Sequence, residues 1–308
     1  MKFVSTFLAI GLLACGPGNR GDDGTGGDDG TGPDGNTTTP KQCNKMDILF
    51  VVDDSGSMME EQSNLGTNFP MFATLLSNYT TSDGQHIDYR VGLTTTGRDI
   101  DYTLDPGAPF PPMQFHEHGP NGAFRNDCGT SQRWLDGTDP AIGTELPCRA
   151  NVGTGGSGIE MPMMMTNWAL SKRVQDGTNA GFVRDDALLA VVMLTDEDDQ
   201  STEQNNFTIS LTNPNGPIDY NPPDHAQFLD TLKGHRSRWA AAAIAGDGDC
   251  SSAFGMAANA ARLKDFVNTA NNQGTTQAVF SSICAGDLTI GLKEALDLFQ
   301  AACGGIIL

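Results

Sequence analysis

Five apolar segments of strand length alternate along the chain with segments whose apolar residues recur at helical spacing. The strand-like segments are residues 46–52, 87–96, 187–195, 238–245 and 277–283. The helical segments are residues 58–79, 159–174, 224–232, 256–271 and 288–301. The first and third strands are continuously apolar, which indicates that they are covered on both faces. The alternation therefore predicts an α/β fold with a doubly wound, mostly parallel sheet flanked by helices.

This alternation stops between residues 97 and 156, where Pro, Gly and polar residues occur without a sustained period. Irregular stretches of this length are uncommon in compact domains and are usually functional. We expect an insertion that lies where the carboxyl ends of the strands emerge from the sheet. Within it, His116 and His118 lie two residues apart. They either join a metal site or belong to a solvated loop, and we favour the loop.

The amino terminus resembles a secretory signal, because Lys2 precedes an apolar segment, residues 3–14, that is too short to span a bilayer. Residues 12–15 (LLAC) resemble a bacterial lipobox, with Cys15 as the lipidated first residue of the mature chain. The alternative is an ordinary signal peptide that contains a cysteine. The lipobox predicts an exported lipoprotein of the bacterial cell envelope, anchored by its lipid at the outer membrane or cell surface.

Residues 16–42 have a different composition from the rest of the chain and contain a tandem Gly-Asp-Asp-Gly-Thr-Gly repeat. Such a segment cannot build a core, so we expect a flexible linker ahead of one folded domain, residues 43–308. The 308 residues include 18 Lys and Arg against 38 Asp and Glu, for a net charge of −20. A surface this acidic repels phosphate backbones, which argues against nucleic acid as a partner.

Six cysteines remain when Cys15 is set aside, and an even number in an exported chain indicates three disulfides. Many pairings are conceivable, but the predicted topology narrows them. One pair of cysteines lies at the bottom of the sheet, one pair follows strand ends at the top, and one pair falls within the insertion. We therefore expect the disulfides Cys43–Cys303, Cys250–Cys284 and Cys128–Cys148.

Polar residues follow two of the apolar strands. The pattern Asp53-x-Ser55-x-Ser57 comes directly after the first strand, and Asp196 ends the third. Another polar turn, residues 153–158, opens the helix that precedes the third strand. Sheets of this kind bind ligands beyond the carboxyl ends of their strands, so these oxygen donors are expected in one crevice. Carboxylate and hydroxyl oxygens suit a hard cation, Mg²⁺ first, with Mn²⁺ and Ca²⁺ as alternatives.

The Asp53-x-Ser55-x-Ser57 pattern, the polar turn and the strand end at Asp196 together resemble the metal-ion-dependent adhesion site (MIDAS) of von Willebrand factor type A domains. The resemblance covers residues 44–303 outside the insertion, and it implies the Rossmann-like fold of that family. It also implies that Ser55, Ser57 and a hydroxyl of the middle turn bind the cation directly. Asp53 and Asp196 would bind it directly or through water.

The middle turn departs from the family pattern, which carries a threonine there. Ser157 lies just before the helical segment, and Thr154 lies three residues upstream. We expect Ser157 to be the ligand, with Thr154 as the alternative.

A cation held mainly by neutral hydroxyls keeps an open coordination position, which an Asp or Glu of a protein partner can fill. Without the cation, nearby acidic residues would repel such a partner: Asp54, Glu197, Asp198 and Asp199. The sequence therefore predicts a non-enzymatic protein for metal-dependent adhesion or complex assembly. One alternative is a structural envelope protein with an unused metal site. A hydrolase with Asp53 as nucleophile is less favoured, because Ser55 occupies the position of its general acid.

Overall fold

The computed structural model describes residues 43–305 except residues 82–83, 130, 253–254 and 273. The predicted signal peptide, lipidated Cys15 and linker lie outside the described residues. The strands of the described part are β1 (Lys45–Val52), β2 (Asp88–Thr95), β3 (Ile100–Asp105), β4 (Met113–Glu117), β5 (Trp134–Asp136), β6 (Leu188–Leu194), β7 (Asn206–Ser210), β8 (Trp239–Ala245), β9 (Cys250–Ser252), β10 (Gly255–Ala257) and β11 (Ala278–Ser282). Its helices are α1 (Met59–Ser77), α2 (Ile142–Ala150), α3 (Pro162–Leu170), α4 (Lys172–Gln175), α5 (Pro222–Lys233), α6 (Ala261–Ala270) and α7 (Leu288–Gly304).

The central sheet has the strand order β11-β8-β6-β1-β2-β5. All neighbouring strands run parallel except β5, which is antiparallel to β2 at one edge. The predicted fold class, a mostly parallel sheet flanked by helices, is confirmed. Strand β1 lies between β2 on one side and β6 on the other. The chain crosses from β1 to β2 on one side and later continues with β6 and β8 on the other side. The carboxyl ends of β1 and β6 therefore border a topological switch point, where such sheets bind ligands.

Both faces of β1 are covered, which explains its continuous apolar sequence. Phe50 points to the face covered by α1, α2 and α7, and its ring meets Phe69 and Phe72 of α1 edge-on, with centroids 5.1 and 5.4 Å apart. Leu49 and Val51 point to the other face, under α3, α5 and α6. Full burial of each such side chain contributes about 1.5–3 kcal/mol to the free energy of unfolding. The two layers hold β1 firmly beneath the polar loop that follows it.

Two predicted helices have different bounds in the structure. The first two residues of segment 256–271 belong to β10, which pairs with β9 in antiparallel register, and α6 begins only at Ala261. Gly255 opens β10 with φ +137°, a conformation that residues with side chains rarely adopt. Segment 159–174 is divided into α3 and α4 because Ser171, with φ −121° and ψ −76°, is not helical. Pro162 sets the start of α3, since the first turn needs no donor from it.

The insertion contains regular structure that the sequence analysis did not predict, although apolar and polar residues alternate along residues 100–105. Strands β3 and β4 form an antiparallel ribbon, and β3 also pairs in parallel with the distant β7. Strand β5 returns alongside β2, and α2 follows it. The insertion is expected where the carboxyl ends of the strands emerge, and one part of it, β5, extends the sheet at its edge.

All three expected disulfides are present, with Cα–Cα distances of 5.3 Å for Cys43–Cys303, 5.9 Å for Cys128–Cys148 and 6.3 Å for Cys250–Cys284. Disulfides are typical of proteins exported to an oxidising compartment. The first joins the start of β1 to the end of α7 across 260 residues of chain. Within the described ranges, every helix is too short or too polar to cross a bilayer.

Candidate metal centre

Asp53 occupies the end of β1 and is completely buried. Its Oδ1 accepts the Ser55 backbone N–H at 2.8 Å, which closes a tight turn after the strand. Its Oδ2 accepts the Thr195 hydroxyl at 2.7 Å, and its own backbone N–H donates to Leu194 O at 2.9 Å. These bonds tie the loop after β1 to the loop after β6, so the two strand ends carry one joint site.

The two serines of the first motif lead from this buried carboxylate to the surface. The Ser55 and Ser57 hydroxyls lie 2.9 Å apart, and Ser57 Oγ donates to Asp196 Oδ1 at 3.3 Å. Ser55 and Asp196 are only 2% exposed, whereas Ser57 is exposed. The structure thus brings four of the predicted ligands together, with Asp53 at the base and Ser57 at the mouth.

The middle turn packs on the first motif. The Gly156 N–H donates to Asp54 O at 2.7 Å, and a Cβ on Gly156 would lie 2.1 Å from Asp54 Cγ, so only glycine allows this approach. The Ser157 hydroxyl is buried, accepts the Ile159 N–H at 3.0 Å and donates to Ile159 O at 3.2 Å. Ser157 is therefore engaged within its own turn, and Thr154 is partly exposed. The choice between these two hydroxyls as the cation ligand stays a prediction.

The carboxyl groups at this edge of the sheet raise one another's pKa. Burial raises the pKa of Asp53, and the charge of Glu197 adds to the effect. Burial, followed by the charge of Asp53, raises the pKa of Asp196 to about 7. The same two causes raise the pKa of Asp54 to about 6, although the Thr95 hydroxyl and the more distant Arg125 oppose this rise. Ionised together, these groups would repel each other strongly in a site that water barely reaches.

Glu160 and Glu61 add to this acidic environment, and sequence reasoning did not find them. Glu160 is completely buried, and within the described chain neither of its carboxylate oxygens accepts a hydrogen bond. Burial, the adjacent Glu197 carboxyl and the charge of Asp53 raise the pKa of Glu160 to about 12. Glu61, on α1, is 1% exposed and one of its oxygens also lacks a partner. In the sequence, the position of Glu160 directly before the apolar segment 161–165 was the feature that could have indicated a buried acidic residue.

Two acidic residues expected to surround the site have structural roles instead. The Asp198 carboxylate accepts the backbone N–H groups of Arg262 and Leu263 at the start of α6. The Asp199 carboxylate is fully buried and accepts the Met163 N–H at the start of α3, at 2.9 Å. Both therefore stabilise helix amino termini. Whether they also repel an anionic partner stays a prediction, as it does for Asp54 and Glu197, which lie at the site.

The chemistry of these residues fits a divalent cation. The Ser55 hydroxyl contacts the Ser57 hydroxyl, which donates to the Asp196 carboxylate, and the Asp53 carboxylate accepts the Ser55 backbone N–H. All of these carboxylate and hydroxyl oxygens are hard donors. Among the described residues, no Lys or Arg is a leading influence on the pKa of Asp53, Asp196 or Glu160. Buried carboxylates are normally paired with a cation. The site therefore has the oxygen donors for a metal ion, and the described part of the chain supplies no Lys or Arg as a leading source of positive charge in its place.

No family model and no curated protein matches the chain. Among solved structures, proximal thread matrix protein 1 from the mussel byssus with a zinc-occupied MIDAS motif is 14% identical, with a TM-score of 0.40 over 85% of this chain and 46% of that one. Manganese-loaded TRAP protein of Plasmodium vivax is 12% identical, with a TM-score of 0.40 over 86% of this chain and 76% of that one. The pilus adhesin SpaC of Lactobacillus rhamnosus GG is 11% identical, with a TM-score of 0.42 over 84% of this chain and 30% of the adhesin.

The chain thus spans less than half of the mussel protein and less than a third of the pilus adhesin. At these identities and TM-scores the similarities carry no functional argument. The function proposed below rests on the geometry of the site.

Proposed function

We propose that this protein binds a divalent cation, Mg²⁺ by preference, at the β1–β6 edge and through it an Asp or Glu of a protein partner. The residues that would hold the cation are Asp53, Ser55, Ser57, Asp196 and the hydroxyl of Ser157 or Thr154. One observation carries this proposal: hydrogen bonds link Asp53, Ser55, Ser57 and Asp196 across two strand ends, and no Lys or Arg of the described residues is a leading influence on the pKa of either carboxyl group. The outcome would be metal-dependent adhesion or complex assembly.

The proposed ligands lie at different depths in the site and contribute differently to binding. Asp53 is fixed by the Ser55 N–H and the Thr195 hydroxyl, so it forms a rigid base for the site. Ser57 is exposed and offers an uncharged oxygen at the mouth. When bound, the cation supplies positive charge and a coordination position that a partner's carboxylate can fill. Until then, Asp54 and Glu197 beside the site disfavour an anionic group.

The geometry supports a binding role over hydrolysis with Asp53 as nucleophile. Both Asp53 carboxylate oxygens accept hydrogen bonds, and the side chain is completely buried. A carboxylate in this position is poorly placed to attack a substrate. The position two residues later holds Ser55, which cannot act as the general acid that such hydrolases require.

A displayed library of random peptides tests the proposed function and requires no identified partner. The immobilised protein is incubated with the library in Mg²⁺, and bound peptides are eluted with EDTA. We expect the eluted peptides to be enriched in sequences with an essential Asp or Glu, and we expect no enrichment on Asp53→Ala or Ser57→Ala. Asp297→Ala is the matched control, because Asp297 lies on the exposed face of α7 and pairs with Lys293. Enrichment that survives EDTA or Asp53→Ala would refute the proposal.

We also propose that the domain acts at the bacterial cell envelope, held there by a lipid on Cys15. The three disulfides support export, and the LLAC sequence at residues 12–15 supports lipidation. Several acyl chains on one cysteine would give firm anchoring, since each buried CH₂ contributes about 0.8 kcal/mol. Cys15→Ser is expected to release the protein from membrane fractions. Unchanged fractionation of Cys15→Ser would exclude the anchor and leave the proposed cation site untouched.

A further inference from the structure

A second cluster of metal-ligating side chains lies on the ribbon of β3 and β4. Asp101 of β3 lies directly opposite His116 of β4 in the antiparallel register. Side chains alternate along a strand, so Asp99 and His118, two positions further along and just beyond the ends of β3 and β4, are expected on the same face as Asp101 and His116. Two acidic residues and two histidines therefore share one end of one face of the ribbon.

Contacts among these side chains confirm the shared face. His116 Nδ1 lies 2.8 Å from Asp101 Oδ1, and His118 Nδ1 lies 3.5 Å from Asp99 Oδ1. The two imidazole rings meet edge to face, with centroids 4.3 Å apart. One ligand atom from each of Asp99, His116 and His118 lies within 4.8 Å of the other two. All three side chains are accessible to solvent, and His118 is 81% exposed.

The surrounding backbone positions this cluster. Asn121 Nδ2 donates to Asp99 Oδ2 at 3.0 Å, which orients the carboxylate. Gly119 follows His118 and packs so closely on Gly97 that a Cβ on Gly119 would lie 2.1 Å from the Gly97 carbonyl carbon. On the opposite face of the ribbon, Tyr102 stacks on Phe115 and Phe207, which belong to β4 and β7. The ribbon is thus an ordered platform with one aromatic face and one face that bears metal ligands.

We propose that Asp99, His116 and His118 bind Zn²⁺. Imidazole nitrogens combined with a carboxylate suit zinc, whereas Mg²⁺ prefers an all-oxygen shell. Asp101 accepts from His116 Nδ1 and so leaves Nε2 for the metal, the usual arrangement of a carboxylate behind a histidine ligand. Tetrahedral zinc places its ligand atoms about 3.4 Å apart, a distance that rotations of these exposed side chains can reach. Three protein ligands leave the fourth position for water or for a group of another molecule.

The test is a titration of the protein with Zn²⁺ in excess Mg²⁺, followed by calorimetry. We expect one zinc site in the wild type and at least a tenfold loss of zinc affinity in His116→Gln and in His118→Gln. Asp101→Asn, which alters only the group behind His116, is expected to lose about tenfold. His86→Gln is the matched control, because His86 is an exposed histidine outside the ribbon. Asp53→Ala is expected to retain the site, which separates it from the proposed cation site at the sheet edge.

Unchanged zinc affinity in both histidine variants would overturn the proposal, as would loss of zinc binding in Asp53→Ala. The visible spectrum of the wild type loaded with Co²⁺ gives a second measurement that needs no variant. A low-coordinate site with imidazole ligands predicts intense absorption that Zn²⁺ abolishes and Mg²⁺ does not. A weak spectrum typical of six oxygen ligands would contradict the proposed ligands.

Discussion

A buried aspartate lies near each end of β1, but the charged groups around the two aspartates differ. Near the amino end, Asp47 is completely buried, and its two carboxylate oxygens accept the Arg184 backbone N–H at 2.6 Å and Nε at 2.7 Å. Arg184 also pairs with Asp88, and Lys233 donates to Arg184 O at 2.7 Å. Burial still raises the pKa of Asp47, but the charges of Arg184 and Lys233 oppose that rise. This end of the strand is a complete ion-pair network.

At the carboxyl end, Asp53 has hydrogen-bond donors but no basic partner of this kind among the described residues. The charge of its neighbour Glu197 raises the pKa of Asp53, and Asp53 in turn raises the pKa of Asp196. Asp47 lies within β1, Asp53 directly follows it, and both are completely buried, so burial alone does not explain the difference. A buried carboxylate that is paired with an arginine of the same protein, such as Asp47, has a structural role. A group of buried carboxyl groups without such a partner, such as those around Asp53, is suited to binding a cation from solution.

Removal of the Arg184 guanidinium, which pairs with Asp47 near the amino end of β1, is expected to have the largest effect on stability. Arg184→Met keeps the backbone N–H of residue 184 but leaves the buried Asp47 carboxylate without its guanidinium partner, so the free energy of unfolding is expected to fall by about 3–5 kcal/mol. Urea unfolding followed by circular dichroism measures this change. A loss below about 1 kcal/mol would show that Asp47 is neutralised in another way and would break the contrast between the two ends.

Removal of the Asp196 carboxyl group, at the carboxyl end of the neighbouring strand β6, is expected to raise the free energy of unfolding of the metal-free protein. In the metal-free protein, Asp196 keeps its proton up to a pH of about 7, whereas its ordinary pKa is 3.8. The folded state then binds more protons than the unfolded state between these values, so stability falls as the pH rises through this window. In EDTA at about pH 8, Asp196→Asn is expected to be more stable than the wild type by about 1–3 kcal/mol.

The same variant also sharpens the comparison in the presence of metal. Asp196→Asn is expected to gain less stability from Mg²⁺ than the wild type does, because it loses a charged ligand. Thermal unfolding of both proteins at several pH values, with EDTA and with Mg²⁺, measures both effects. Lower stability of Asp196→Asn in EDTA would mean that this carboxylate is satisfied without a cation.

A partly exposed pair at the amino end is expected to give the smallest effect. Lys45 Nζ lies 2.6 Å from Asp186 Oδ2, with the side chains 30% and 41% exposed. Exposed ion pairs contribute little, so Lys45→Met is expected to lower the free energy of unfolding by less than about 1 kcal/mol. The same urea unfolding experiment checks it. A loss comparable to that of Arg184→Met would show that exposure does not separate the two pairs.

Local signals made much of the fold and part of the site predictable. Strand β1 is buried on both faces, so its continuous apolar run indicated a covered parallel strand, and Asp53 marked its end. The disulfide Cys43–Cys303 followed from the topology alone, because both cysteines belong to the same end of the sheet. The meeting of Ser57 with Asp196 followed from two strands that end at one edge.

The remaining features depend on contacts between distant parts of the chain. The pairing of β3 with β7 joins residues about a hundred positions apart. Apolar and polar residues alternate in both strands, but so short an alternation does not show which strand each one pairs with. The roles of Asp198 and Asp199 depend on which helix start each one meets. Glu160 belongs to the acidic site only because the middle turn packs on the loop after β1. Sequence alone does not give such placements.

The stabilisation of the protein by Mg²⁺ tests the central claim most directly, with Asp53→Asn as the decisive variant and Asp297→Asn as its control. At about 100 times the dissociation constant, a bound cation adds about 2.7 kcal/mol to the free energy of unfolding, which raises the Tm by about 5 °C or more. We expect this shift in the wild type and in Asp297→Asn, and none in Asp53→Asn. Equal melting temperatures of the wild type with Mg²⁺ and with EDTA would contradict the claim, as would an undiminished shift in Asp53→Asn.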